Sequence, residues 1–121
     1  MAACCDMTLT ERLEKWRHLI EPETSGGLTP VSWSEVLTMP LMLVEGQQSV
    51  LLLRDCLING RAMRSIWVAA GQLSEVLDLV RVAEAEARSA GIGAMVFMGR
   101  RGWIRAAGDY REVATIGLKE L

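Results

Sequence analysis

The dipeptide Asn59-Gly60 is the local signal that most restricts how this chain can fold. Apolar, β-favouring residues lie on both sides of it, over residues 50–58 and 62–69. Both central residues of a tight type I′ turn need positive φ, and Asn-Gly adopts that conformation readily. The pattern therefore predicts an antiparallel hairpin. Because residues 41–44 and 49–57 have the composition of two strands joined by a short turn, we expect a meander of three antiparallel strands.

The clearest predicted helix follows the hairpin, over residues 73–90. Charged residues occupy one side of it, and apolar residues at helical spacing line the other. The apolar side consists of Leu73, Val76, Leu77, Val80, Ala83, Ala87 and Ala90. Gly91 stands where a helix usually ends. The apolar run 94–98 is typical of a strand buried on both faces, and we expect a brief helix over residues 101–107 and a last strand over residues 112–118.

The N-terminal part of the chain has helical rather than strand character. Apolar residues recur at helical spacing over residues 9–20, after a threonine that can cap the helix, and Glu21-Pro22 is expected to end it. A capping-box pattern that begins at Ser32 predicts a short second helix. Residues 23–30, rich in Thr, Ser and Gly, form the best candidate linker in the chain.

Length and composition favour one compact domain. The chain has 121 residues, of which 50% are hydrophobic and 23% are charged, and a fold of this size buries a single core. We therefore predict an α/β domain made of a helical segment over residues 1–40 and a mixed sheet with helices over residues 41–121.

Charge and cysteine content exclude several classes of function. The formal net charge of −2 provides no global field toward nucleic acid or anionic lipid. No apolar run approaches the roughly 20 residues of a spanning helix, and the N-terminus lacks a secretory pattern, so we expect a cytosolic chain. With 3 cysteines and 1 histidine, we expect neither a disulfide framework nor a metal site.

The order of the predicted elements resembles the GNAT acetyltransferase fold. The resemblance covers about residues 41–121 and rests on the meander, on Trp67-Val68-Ala69-Ala70-Gly71 before the long helix, and on Gly108-Asp109-Tyr110-Arg111-Glu112-Val113 near the end. In that family a loop of the form Arg/Gln-x-x-Gly-x-Gly/Ala binds the pyrophosphate of coenzyme A at the helix N-terminus.

The resemblance would place acetyl-CoA at Ala70, Gly71 and Gln72. Here, however, Val68 stands at the first position of the loop and Leu73 replaces its second glycine. Any turn from a strand into a helix would also use a glycine such as Gly71.

The resemblance also implies a general acid and a general base. Residues 101–107 lack the tyrosine that the family often carries in its last helix, and Tyr110 fits the aromatic position that packs the final strand. Glu45, Asp55 and His18 are the candidate bases, but each is explained more simply as a turn residue, an exposed strand residue or a solvated helix residue. We therefore predict a GNAT-like fold with reduced catalytic equipment and no catalytic residue.

Two further segments resemble small GNAT-like proteins of tailed bacteriophages, some of which are encoded among virion or head-to-tail assembly genes. These segments are Gly99-Arg100-Arg101-Gly102-Trp103 and the C-terminal Lys119-Glu120-Leu121. Arginines that open a helix oppose its macrodipole and favour a carboxylate partner, and tryptophan is enriched at interface hot spots. Arg100, Arg101 and Trp103 are therefore the predicted partner-binding residues; solvated arginines and a core tryptophan are the simpler interpretation.

These observations lead to two hypotheses from different classes. The first is a non-enzymatic bacteriophage virion or virion-assembly protein without a cofactor, present in the virion and in the host cytoplasm during assembly. It would contact other phage structural proteins and copies of itself. The alternative is an acetyl-CoA-dependent N-acetyltransferase.

Overall fold

The computed structural model describes residues 7–26, 30–97, 101–113 and 118–121, and Arg101 by its backbone alone. The helices in these ranges are α1 (Leu9–Lys15), α2 (Arg17–Ser25), α3 (Trp33–Val36), α4 (Leu73–Ser89) and α5 (Arg101–Ala107). The strands are β1 (Met42–Glu45), β2 (Val50–Ile58), β3 (Arg61–Ala70) and β4 (Met95–Phe97). They form one sheet in the order β1-β2-β3-β4, antiparallel except for the parallel β3–β4 pair. The predicted mixed α/β class is confirmed.

The β2–β3 hairpin turns at Asn59-Gly60, as predicted. φ is 51° at Asn59 and 82° at Gly60, the two positive values that a type I′ turn requires. Ile58 and Arg61 pair directly beside the turn. The dipeptide therefore sets the register at this end of the hairpin.

Helices cover both faces of the sheet, and each face has its own hydrophobic core. β2 contributes to both, because Val50 and Leu52 belong to one core and Leu51 and Leu53 to the other. The first core joins the sheet to α1–α3 and contains Leu13, Trp16, Ile20, Trp33, Val36, Leu41, Val50, Leu52, Val68 and Ala70. The second joins the sheet to α4 and contains Val44, Leu51, Leu53, Ile66, Val76, Leu79, Val80 and Ala83.

The N-terminal helices depart from the predicted single helix over residues 9–20. That helix breaks at Trp16, where φ is −102° and ψ is 7°, and α2 continues through Pro22 to Ser25. Glu21-Pro22 does not end it, because the fully buried Ile20 anchors this turn in the first core and such packing outweighs a local preference. The predicted linker is helical over residues 23–25, and residues 27–29 lie outside the described part.

α3 begins as its sequence predicts. The Ser32 hydroxyl accepts a hydrogen bond from the backbone N–H of Glu35 at 3.3 Å, and the Glu35 carboxylate accepts from the backbone N–H of Ser32 at 3.1 Å. This reciprocal pair is the predicted capping box. None of the helices in the described ranges is long and apolar enough to cross a bilayer.

β4 is shorter and more exposed than predicted. It spans Met95–Phe97, and each of its residues is only half-buried, because β4 lies at the edge of the described sheet. The predicted burial on both faces is therefore wrong, and Met98, the last residue of the predicted strand, lies outside the described residues. Residues 112, 113 and 118 of the predicted last strand have no regular structure, and residues 114–117 lie outside the described ranges.

Candidate functional site

The candidate site begins at an irregularity in β3. The β2–β3 register shifts so that Leu52 pairs with Val68 while Leu53 pairs with Ile66. Trp67 is therefore an extra residue in the strand, a β-bulge. Bulges bend a strand and occur frequently beside active sites, where they redirect side chains.

β3 continues beyond the bulge to Ala70, paired with β2. Among the described residues, its parallel pairing with β4 reaches as far as Ile66 and Phe97, and residues 98–100 lie outside the described part. In the part of the chain that the structure describes, the free edge of residues 67–70 therefore has no strand partner. A cleft of about 570 Å³ opens at this edge.

Side chains from both helical layers and from the sheet line this cleft. The lining residues are His18, Leu19, Pro22 and Glu23 of α2, Trp67, Val68, Ala69, Ala70 and Gly71 of β3 and its following loop, Phe97 of β4 and Trp103 of α5. The cleft thus lies between α2 on one side of the sheet and α5 on the other.

The cleft brings together residues from separate predictions. Ala70 and Gly71 belong to the acetyl-CoA alternative, Trp103 belongs to the predicted partner surface, and His18 is a candidate base. Gln72 is not part of the lining. Arg100 and the side chain of Arg101 lie outside the described residues, so their predicted role as contact residues stays a prediction.

Gly71 is required by the neighbouring β1–β2 turn. Its φ is 123°, and a Cβ at this position would lie 2.5 Å from Cβ of Ser49 and 2.6 Å from the carbonyl oxygen of Gln48. Ser49 is fully buried, and its hydroxyl accepts a hydrogen bond from the backbone N–H of Gln72 at 2.9 Å. Close packing against the β1–β2 turn therefore accounts for a glycine at this position.

The N-terminus of α4 carries a carboxylate of the chain itself. Glu75, in the first turn, accepts hydrogen bonds from the backbone N–H groups of Gln47 at 2.7 Å and Gln48 at 3.0 Å. Hydrogen bonds with the Ser49 side chain and with these two amides hold the pKa of Glu75 below its ordinary value. The carboxylate is therefore ionised at neutral pH, and its charge offsets the positive potential of the helix end.

Glu45 is held as an ion outside the cleft. It accepts hydrogen bonds at 2.7 Å from Nε of Arg12 and at 2.7 Å from the indole N–H of Trp16. Burial opposes ionisation, but the bonds from Trp16 and Arg12 outweigh it and lower the pKa of Glu45. A general base works best with a pKa near the operating pH, so Glu45 is poorly suited to that role.

Asp55 and His18 have different surroundings. Asp55 accepts two hydrogen bonds from the buried Arg64, at 2.7 and 3.2 Å, in an ion pair that does not line the cleft. His18 does line it, and its ring stacks on Trp16 with 6.4 Å between ring centroids and 14° between planes. Of the three candidate bases, the structure places His18 alone at the cleft.

Tyr110 packs beside β4, away from the cleft. Its ring meets Phe97 edge-on at a centroid distance of 5.9 Å, and its hydroxyl donates a hydrogen bond to Glu84 at 2.9 Å. These contacts pack Tyr110 against β4 and α4, whereas its expected packing on a last strand over residues 112–118 stays a prediction, because residues 114–117 lie outside the described part.

The pKa of Tyr110 provides a direct test of this packing. Half-burial raises the pKa above its ordinary value, and the hydrogen bond to Glu84 with its negative charge raises it further. Because the folded state favours the neutral phenol, this stabilisation is complete below about pH 10, the ordinary pKa. It is lost as the pH rises from there toward the raised folded pKa.

We therefore expect no phenolate absorbance step near pH 10 in the folded protein and a clear one in concentrated urea. Tyr110 is the single tyrosine of the chain, so the absorbance reports on this residue alone. In Tyr110→Phe the free energy of unfolding should fall less as the pH rises above about 10, because the variant has no phenol to ionise. A step at about pH 10 in the folded protein would contradict the described contacts.

Comparison with known proteins identifies a fold and no family. No family model matches the sequence, and neither does any curated protein. Two crystal structures of TTHA1254 from Thermus thermophilus are similar, with TM-scores of 0.58 for a single-residue mutant and 0.56 for the wild type. Each is 17% identical to this chain, and the match covers 89% of this chain and 92% of TTHA1254. This likeness is one of fold alone.

Sequence reasoning missed the bulge and the wall that α2 provides. Ile66, Trp67 and Val68 are three consecutive apolar residues, which interrupts the alternation expected of a strand with one solvated face. This run was the sequence signal that could have indicated the bulge.

No group of three or more His, Cys, Asp or Glu side chains that could hold a metal ion is found in the described ranges.

Proposed function

We propose that this domain is a non-enzymatic component of a tailed bacteriophage particle, or of its assembly, that acts through contacts with other proteins and with copies of itself. The observation that carries the proposal is that the chain's own residues occupy the N-terminus of α4. Gly71 and Gln72 are committed to Ser49, and Glu75 adds a negative charge to the first turn. A GNAT enzyme needs this place for a pyrophosphate, which the Glu75 charge disfavours.

The chemistry of the cleft also supports a binding role. His18 and Glu23 are the titratable side chains that line it, and both are exposed. No hydrogen bond from another described residue orients either of them. A general base must be held within reach of the proton that it removes, so this lining favours binding over acid–base catalysis.

The phage assignment rests on the resemblance of the Gly99–Trp103 segment and of the C-terminal residues to small phage proteins. Trp103, which this resemblance selects, lines the cleft and is half-buried. Together with Arg100 and Arg101 it stays our proposed contact region for a virion partner.

The bulge at Trp67 favours a second candidate, an acetyl-CoA-dependent N-acetyltransferase. In the described ranges, the edge of residues 67–70 has no strand partner and offers backbone groups to an amide-bearing ligand, and the cleft volume of about 570 Å³ is in the range of small-molecule sites. Ala70, Gly71 and Gln72 would then be the cofactor-binding residues.

Calorimetry with acetyl-CoA separates the two candidates. For a protein-binding domain we expect no saturable heat, because the first turn of α4 is negatively charged and its glycine is committed to packing. A dissociation constant in the low micromolar range, about −7 to −8 kcal/mol, would overturn the proposal and favour the acetyltransferase.

Mass spectrometry of purified particles and of assembly intermediates tests the proposed role itself. We expect the chain to co-purify with structural proteins of the phage, and the Arg100→Ala/Arg101→Ala variant to be folded but depleted from the same fractions. Absence of the wild-type chain from every assembly fraction would contradict the proposal.

A further inference from the structure

A second and larger cavity, of about 760 Å³, lies beside β4. β4 and the beginning of β3 form one wall, and the C-terminal half of α4, α5 and residues 109–113 form the others. Its apolar lining includes Ile92, Met95, Phe97 and Ile104. We call this cavity the β4 groove.

Three arginines around the β4 groove have no partner among the residues that the structure describes. Arg61, Arg88 and Arg111 line the groove and are exposed. None of them forms a hydrogen bond or an ion pair with another residue in the described ranges. Their guanidinium groups are therefore available to a ligand.

The carboxylates of the β4 groove, in contrast, are already engaged. Glu84 pairs with Arg81 at 2.9 Å and accepts the hydroxyl of Tyr110 at 2.9 Å. Asp109 lies 3.4 Å from the same arginine, and Glu112 also has an interaction partner. With Arg81 included, four arginines stand against these three carboxylates, so the groove has an excess of one positive charge.

β4 also offers backbone groups along the β4 groove. It is the last strand of the described sheet, in which it pairs with β3 on one side only. An edge strand of this kind accepts an extended segment as an additional strand. Side chains of an added strand alternate between two faces, so one set can reach the apolar lining while the other meets the arginines.

We infer that the β4 groove binds an extended acidic segment of a partner protein, which adds to β4 as a strand and places its carboxylates against Arg61, Arg88 and Arg111. The inference rests on the proposed function as a protein-binding domain and specifies the surface and the chemistry of the partner. Arginine suits this role because its planar group binds a carboxylate through two parallel hydrogen bonds. Charge complementarity selects an acidic segment over a basic one.

The test uses the full chain and a fluorescein-labelled nine-residue peptide in which Glu alternates with Val. Fluorescence anisotropy at low salt should show saturable binding. We expect the Arg61→Glu/Arg88→Glu/Arg111→Glu variant to lose about tenfold or more in affinity. Arg105→Glu is the matched control for Arg88→Glu, because Arg105 is also an exposed helical arginine and does not line the groove. We expect Arg88→Glu to weaken binding and Arg105→Glu to leave it unchanged.

Two further peptides test the mode of binding. The same peptide with Lys in place of Glu should not bind, and a version N-methylated at alternate residues should lose binding because an added strand needs its amide hydrogen bonds. Equal binding of the Lys peptide would overturn the inference, as would unchanged binding of the N-methylated one.

Failure of the Glu peptide to bind the wild-type chain would also overturn the inference, including the case in which light scattering shows that the chain is a dimer. Such a failure would not contradict the proposed function, because mass spectrometry of purified particles and assembly intermediates tests that function separately. If the chain binds the Glu peptide but is absent from every assembly fraction, the phage role is contradicted and the inference about the β4 groove is not.

Discussion

Gly71→Ala is expected to destabilise the protein by about 3 kcal/mol. The new Cβ would lie 2.5 Å from Cβ of Ser49 and 2.6 Å from the carbonyl oxygen of Gln48, at a φ of 123° that residues other than glycine rarely adopt. Ser49 cannot retreat, since it is fully buried, and the Gln48 oxygen belongs to the backbone. Strain and steric overlap therefore act together.

Thermal unfolding followed by circular dichroism measures this effect. We expect the melting temperature to fall by about 10 °C or more. Gly93→Ala is the matched control, because a Cβ on Gly93 meets no atom within 4 Å. Equal stability of the two variants would show that the loop at Gly71 is free to serve a ligand, and would strengthen the acetyltransferase alternative.

The features that the sequence predicted correctly depend on local chemistry. Asn59-Gly60 determines a turn through the φ values of its own two residues, and the capping box at Ser32 closes over four residues. The apolar positions of α4 repeat at helical spacing, so the helix could be placed before its partners were known. The α/β class followed from the order of these elements.

The features that it predicted wrongly, or left open, depend on distant residues. Whether Gly71 serves a turn or a phosphate cannot be decided from its neighbours in the chain, because both uses need a glycine between a strand and a helix. The close contact with Ser49, 22 positions earlier, shows that it serves the turn. The bulge at Trp67 likewise exists only in relation to the register of β2.

The candidate surfaces show the same division. The residue types of the arginine and tryptophan segment suggested a contact, and Trp103 does line a cleft. The β4 groove could not be found in this way, because Arg61, Arg88 and Arg111 are far apart in the chain and come together only around β4. Recognising that its acidic side chains are engaged also required the position of Arg81.

Ile20→Ala is expected to cost about 3 kcal/mol of unfolding free energy. Ile20 is fully buried in the core that joins α2 to Val68 and Ala70 of β3. Shortening its side chain leaves a cavity that the surrounding residues fill only in part. The N-terminal helices are therefore expected to stabilise the whole sheet rather than to unfold separately.

Urea denaturation followed by two probes tests this coupling. Tryptophan fluorescence and far-ultraviolet circular dichroism should give coincident transitions, as in a two-state domain, and both should shift to lower urea in Ile20→Ala. Leu9→Ala, in the neighbouring helix and 36% exposed, is the control and should cost about 0.5 kcal/mol or less. Separate transitions would mean that α1 and α2 unfold independently of the sheet. Because α2 forms one wall of the cleft, such independence would also remove the cleft as a preformed site.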